Sequence, residues 1–214
     1  MFSDYLPILR KVEGGYSNLS ADKGGETYAG ITKKNFPTWE GWNIINSVKP
    51  KQNQIIVNSK LDKLIADFYK KNFWDVLKCD KLSKSVAINL CDFAVGSGIA
   101  TAVKGFQRVI NSLLPTGATT LVDDGKIGNL TIESANKLEQ KKLNDALLLY
   151  RANFYKKIVE NNPSQNVFLS GWLTRLTSFT FTDVTNEFKK KVNMNYVYIA
   201  VGLIAIFLVI KFKK

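Results

Sequence analysis

The chain reads as an α+β protein, mostly α-helical, with a globular body followed by a single C-terminal transmembrane helix. Three observations lead there. Apolar residues recur at helical spacing through Gln54 to Leu77, Leu82 to Val95 and Leu143 to Val159. Between Gly14 and Thr32 the chain is instead rich in glycine and turn-forming residues, which predicts an irregular hairpin region. Finally, Tyr196 to Ile210 runs fifteen residues without a charge.

Taken in order, Ser3 to Val12 predicts the first helix, capped by Ser3 or Asp4, with Pro7 tolerated in its opening turn. After the hairpin region, Thr32 to Phe36 resumes as a short helix stopped by Pro37. Gln54 to Leu77 is a core helix with a solvated lysine face, and the more continuously apolar Leu82 to Val95 is the buried central helix. Asp92 stands inside that apolar run, where a carboxylate must be capped, paired or functional. A structural role is expected, with hydrogen bonds from the glycine-rich segment or a neighbouring helix end. Gly96-Ser97-Gly98 breaks the chain, Asp124-Gly125 suits a tight turn, and Thr131 begins a helix. Asp123 to Thr131 is not a calcium loop, since only two acids are present and no Glu falls at the twelfth position. Leu143 to Val159 is a long amphipathic helix ended by Asn161-Asn162-Pro163.

Composition narrows the chemistry. The chain has 214 residues and a formal net charge of +12, carried almost wholly by lysine, since only Arg10, Arg108, Arg151 and Arg175 are arginines. Such an excess acts as a diffuse field toward anionic walls, lipid head groups or nucleic acid. The nucleic-acid reading rests on charge alone and is not expected. Histidine is absent, which removes His-dependent triads and most zinc sites, and no metal or cofactor is expected. Cys79 and Cys91 sit in apolar pattern and read as reduced core thiols. The uncharged C-terminal run makes a helix of roughly 22 Å, short of the ~30 Å hydrocarbon core. Lys189 to Lys191 before it and Lys211, Lys213 and Lys214 after it can snorkel and extend the span. The opening residues lack the basic and apolar regions of a secretory signal.

For catalysis the chain offers carboxylates. Glu13 ends the first apolar segment and is followed by Gly14-Gly15, and the glycine-rich segment returns Asp22 and Glu26 toward it. A glutamate before two glycines is most often a surface residue at a helix stop. Partly enclosed by apolar side chains, however, it would have its charged form disfavoured and its pKa raised, as a proton donor requires. Tyr16, Tyr28, Trp39 and Trp42 are the aromatics nearest this region, suited to core packing and to stacking on a sugar alike.

Glu13-Gly14-Gly15-Tyr16, Asp22 to Thr27 and Gly30 to Thr32 together resemble the signature of glycoside hydrolase family 108: E-G-G-Y, D-x-G-G-x-T, then G-I-[TS]. The resemblance continues through Pro37 to Trp42 and Phe68 to Asp75. Gln107-Arg108, Asn111, Asp124 to Gly128 and Thr131 resemble the predicted peptidoglycan-binding module usually fused to that family, and Phe168 to Arg175 resembles its closing F-x-x-G-W-x-x-R segment. The resemblance implies a lysozyme-like fold and cleavage between N-acetylmuramic acid and N-acetylglucosamine, with Glu13 as general acid. Asp22, then Glu26, are the candidates for the second carboxylate, and Thr27 for positioning water. The order Glu, Asp nine residues on, then Thr is similar to that of phage-type lysozymes, except that Thr27 comes one residue sooner and Glu26 competes with Asp22. Glu13 alone would suffice for a lytic transglycosylase. Whether the second module binds glycan or completes the fold stays open.

The expected organisation is a lysozyme-like catalytic region over 1–95, a helical module over 96–178, a linker over 179–193 and a transmembrane anchor over 194–212. The partners expected are peptidoglycan glycan strands, a lipid bilayer, and virion membrane or capsid proteins. A membrane-tethered enzyme made without an export signal would face away from the wall in a bacterium. It therefore reads as a virion-associated or lysis enzyme on a viral internal membrane or the host inner membrane. The non-enzymatic alternative is a membrane-anchored structural or wall-binding protein.

Overall fold

The computed structural model of the protein describes residues 1–12, 14–18 and 25–179. Glu13, Asp22, most of the expected linker and the expected anchor lie outside the described residues. Among the described residues no helix is long and apolar enough to cross a membrane.

Helix α1 spans Phe2–Val12 and turns Tyr5 and Leu9, one helical turn apart, into the core, where both are fully buried. Asp4 in its first turn suits the positive end of the helix dipole, and the hydrogen bond and charge of Lys84 hold its carboxyl below the usual range. Pro7 stands at the sixth position of α1, deeper than the opening turn expected for it. Its ring is on the exposed side, where water can serve the carbonyl that lacks its helical donor.

The glycine-rich region forms a three-stranded antiparallel sheet, β1 Tyr16–Ser17, β2 Thr27–Tyr28 and β3 Ile31–Thr32, in sequential order. Tyr16 pairs with Tyr28, and Tyr28 in turn with Ile31. Ala29 (φ 47°) and Gly30 (φ 73°) make the two-residue turn between β2 and β3, both left-handed as a primed hairpin turn requires. Residues Thr32 to Phe36 are not the short helix expected. They close one turn, with Phe36 N–H donating to the Thr32 carbonyl at 3.0 Å, and Pro37 disfavours helical backbone at the residue before it. The helix comes later, as α2 Gly41–Val48, with Trp42 and Ile45 buried.

Helix α3 spans Ser59–Tyr69 and starts later than the apolar pattern, because the Asn58 side chain caps it by accepting from Leu61 N–H at 2.9 Å. The residues before it are not helical: Ile56 is buried while Val57 is 98% exposed. A π-helical turn over Lys70–Trp74 follows and delivers Trp74 to the core beside Tyr5. The expected central helix is α4, Lys84–Ser97, buried from Val86 through Ala94. Around it pack α1, α5 (Ile99–Leu113) and α7 (Gln140–Asn161), with α6 (Asn129–Lys137) and α8 (Asn166–Leu176) against α7. One apolar cluster joins Tyr5, Leu9 and Trp74 to Phe106, Leu147 and Leu173, so the core runs unbroken across the Gly96-Ser97-Gly98 break. Cys79 and Cys91 are buried free thiols, as expected, and the neighbouring Cys79, then burial, push the Cys91 thiol pKa up.

Asp92 holds the centre of this body. Among the described residues its donors are side chains rather than the glycine-rich segment: two arginines from the distal helices, of which Arg175 stands in the last turn of α8, and Tyr5. Arg175 of α8 donates to Oδ1 through Nη2 at 2.6 Å and through Nε at 2.9 Å. Arg151 of α7, fully buried, donates to Oδ2 at 2.6 Å and to the Asn89 side chain at 2.6 Å. The Tyr5 hydroxyl of α1 reaches Oδ1 at 3.4 Å. Asn89 donates to the Asn144 side chain at 3.0 Å, and Asn144 donates to the Phe179 carbonyl at 3.1 Å. The network thus joins α1, α4, α7, α8 and the turn that follows. Asp92→Ala would strand a buried guanidinium, and we expect it to destabilise the protein by about 3–5 kcal/mol, read as a lower urea midpoint at unchanged m-value.

Candidate active site

Glu13 lies at the junction of α1 and β1, and the described backbone on both sides of it is fixed. On one side Tyr5 and Leu9 anchor α1 in the core. On the other, Gly15 passes so close to Asn53 and Gln54 that a Cβ would collide with their carbonyl oxygens. Tyr16 N–H donates to the Gln54 carbonyl at 2.9 Å, Asn53 N–H donates back to the Tyr16 carbonyl at 2.7 Å, and Gln52 donates to the Ser17 hydroxyl at 3.1 Å. The loop over 51–54, unremarked in the sequence, clamps the strand that follows the candidate acid.

Of the other predicted site residues, the structure brings Tyr16 and Glu26 together. Glu26, with a side chain 19% exposed, receives the Tyr16 hydroxyl at 3.3 Å and the Lys33 ammonium at 2.5 Å. Lys33 is the residue that sequence reading missed. It stands across the hairpin from Glu26, its backbone N–H donating to the Glu26 carbonyl at 2.7 Å, and continuing the register that pairs Thr27 with Thr32 would have foretold it. Lys33 also lies 5.4 Å over the Trp42 ring and reaches Asn46 at 3.4 Å. Glu26 is therefore already ion-paired. The partly buried Thr27 hydroxyl donates to the Gly25 carbonyl at 3.1 Å.

The aromatics divide. Tyr28 and Trp42 are 1% and 3% exposed and present no open face to a sugar. Tyr28 is a packing residue whose hydroxyl accepts from Ile56 N–H at 2.8 Å, and the Trp42 indole donates to the Phe36 carbonyl at 2.8 Å. Both rings are packed in the core, with Ile31, Ile56 and Tyr69 in the same cluster. Tyr16 is half-buried. Trp39 sits in the wall of an open cleft of about 320 Å³ with Phe36, Glu40, Phe68 and Asn72.

In the second region, the motif residues hold a loop. Gln107, buried on α5, donates to the Asp124 carboxylate at 2.9 Å and to the Lys126 carbonyl at 3.1 Å, and accepts from Gly125 N–H at 3.0 Å. Asn111 brackets Leu121 by donating to its carbonyl at 2.8 Å and accepting from its N–H at 2.7 Å. Gly125 takes φ 78° in this turn, as expected of Asp124-Gly125. The Gln107 amide, then the Lys126 N–H, hold the Asp124 carboxyl below its usual range.

A mostly helical α+β body with a small sheet is consistent with a lysozyme-like fold. Residues 6–98 match the family model described as Glycosyl hydrolase 108, and residues 101–177 match the Predicted Peptidoglycan domain. The solved structure of Brucella abortus SagA is similar at 26% identity and a TM-score of 0.59, over 83% of this chain and 90% of that one. No curated protein matches. These two matches support a glycoside hydrolase acting on peptidoglycan.

Proposed function

We propose that the protein is an N-acetylmuramidase in which Glu13 protonates the oxygen leaving between N-acetylmuramic acid and N-acetylglucosamine. The observation that carries this reading is the match of residues 6–98 to a glycosyl hydrolase model, with Glu13 inside it at a junction clamped on both sides. Asp22 is the second carboxylate of the reading. The ion pair of Glu26 with Lys33 speaks for Asp22, since a carboxylate tied to a cross-strand ammonium is less available to a water or an oxocarbenium ion. Thr27, next in the chain, is left to position water.

The expected outcome for Glu13→Gln is a loss of peptidoglycan cleavage of about 10²–10⁴-fold, the usual worth of a general acid, with the fold retained by circular dichroism. Product mass identifies the reaction. Hydrolysis gives a reducing muramic end, whereas a lytic transglycosylase gives an anhydro sugar one water lighter. Wild-type cleavage in the Glu13→Gln protein would overturn the assignment of Glu13 as the acid, and no cleavage by the wild type itself would favour a wall-binding protein.

The uncharged Tyr196 to Ile210 run, with lysines at both ends, supports the further reading that the enzyme is tethered to a bilayer. A tethered, lysine-rich wall hydrolase suits a virion-associated enzyme for wall penetration or one released at host lysis. The full chain is expected to float with lipid vesicles and a chain truncated after residue 179 to sediment; equal behaviour of the two would refute the tether.

A further inference from the structure

An open groove of about 520 Å³ lies between α5 and α7, on a part of the molecule that the catalytic reading does not use. Its floor is built by a close approach. Gly105 of α5 lets the Tyr150 ring of α7 settle against the helix, since a Cβ there would meet that ring at 2.5 Å. Phe93 fixes both aromatic rings from below, edge to face, with centroids 6.3 Å from Tyr150 and 5.3 Å from Phe154. Around these rings stand Lys104 and Arg108 of α5 and Lys156 and Lys157 of α7. Arg108 is held in place, donating to Asp123 at 2.6 Å and to the Tyr150 hydroxyl at 3.5 Å. Among the described residues the three lysines have no carboxylate within ion-pair distance, and Glu160 is the acid in the groove lining.

Four cations converging on fixed aromatic faces, with Thr101 and Asn153 as uncharged polar neighbours, suit a ligand that alternates anionic groups with flat, partly apolar rings. We propose that this groove holds peptidoglycan through the free carboxylates of its peptide stems, with the adjoining sugar or peptide resting on Tyr150 and Phe154. The inference rests on the reading of the chain as a peptidoglycan hydrolase, and one observation selects the wall over other anions. The lining from Thr101 to Glu160 falls wholly within the residues matched to the peptidoglycan domain. The groove adjoins the Gln107-Asp124 loop through the Arg108–Asp123 pair, but Gln107 and Asp124 are themselves spent on one another and do not line it.

The test is retention of the full chain on purified sacculi freed of phosphate polymers, for the wild type and a K104Q/K156Q/K157Q variant. Reducing ends released are measured in the same samples. Retention is expected to fall about tenfold in the variant, a few-fold for each exposed pair lost, and to fall comparably for the wild type in molar salt. Sacculi stripped of stems by an amidase should hold both proteins equally weakly. The K104R/K156R/K157R variant keeps the charge and should be retained as the wild type, which separates charge from any effect of the glutamines on folding. Unchanged retention of the glutamine variant, retention indifferent to the stems, or retention only on walls that keep their phosphate polymers would overturn the proposal. Absence of released reducing ends from the wild type, with retention as expected, would instead overturn the hydrolase reading and leave the groove standing.

Discussion

A carboxylate shut away from water at the centre of a helical body must be neutralised, and Asp92 is neutralised by arginines that come from 59 and 83 residues further along the chain. This one constraint decides how the two halves relate. Neither Arg151, with no exposure, nor Asp92 could be buried alone, because each would leave an uncompensated charge in the interior. The cost of burying them together is offset by shared hydrogen bonds to Asn89 and Tyr155, and by the Phe93 and Phe179 rings 5.3 Å from the guanidinium carbon of Arg151. Because Tyr5 of the first helix donates into the same cluster, the helix leading to Glu13 is tied to the last helices before residue 179.

The candidate site depends on that tie at one remove. The core contacts of Tyr5 and Leu9 hold α1 on one side of residue 13, and the clamp of β1 on the loop over 51–54 holds the chain on the other. The sheet itself is only three two-residue strands, too small to stand alone. Tyr28 of β2 and Trp42 of α2 are both buried in the core beside it, so these aromatic rings are committed to packing. Trp39 and Tyr16, less enclosed, are the rings left at the surface.

Much of the fold could be read from the sequence, and the places where reading failed have physical causes. The buried α4 and the long α7 announced themselves because continuous apolar or amphipathic runs of fourteen and twenty-two residues leave few alternatives. Helix α2, of eight residues, was missed because a single buried face of Trp42 and Ile45 looks like an aromatic loop. The start of α3 was misplaced because Ile55, Ile56 and Val57 fit the apolar pattern, while the stronger local signal was the Asn58 cap. Asp92 was recognised as structural, but its partners were not, since pairing over such separations leaves no trace in local spacing. Near the candidate site, the hairpin was legible from its glycines and turn residues. The Lys33 ion pair to Glu26 was not, because it depends on a strand register that only the Ala29-Gly30 turn fixes.

The glycosyl hydrolase region and the peptidoglycan domain meet in one core, so the account makes them a single folding unit held by the Asp92 cluster. The most direct measurement is chemical denaturation and wall cleavage by residues 1–98 expressed alone, beside the full chain. Without Arg151 and Arg175 to meet Asp92, the fragment is expected to show no cooperative unfolding transition and no cleavage. A fragment that unfolds cooperatively and cleaves peptidoglycan as the full chain does would contradict the account.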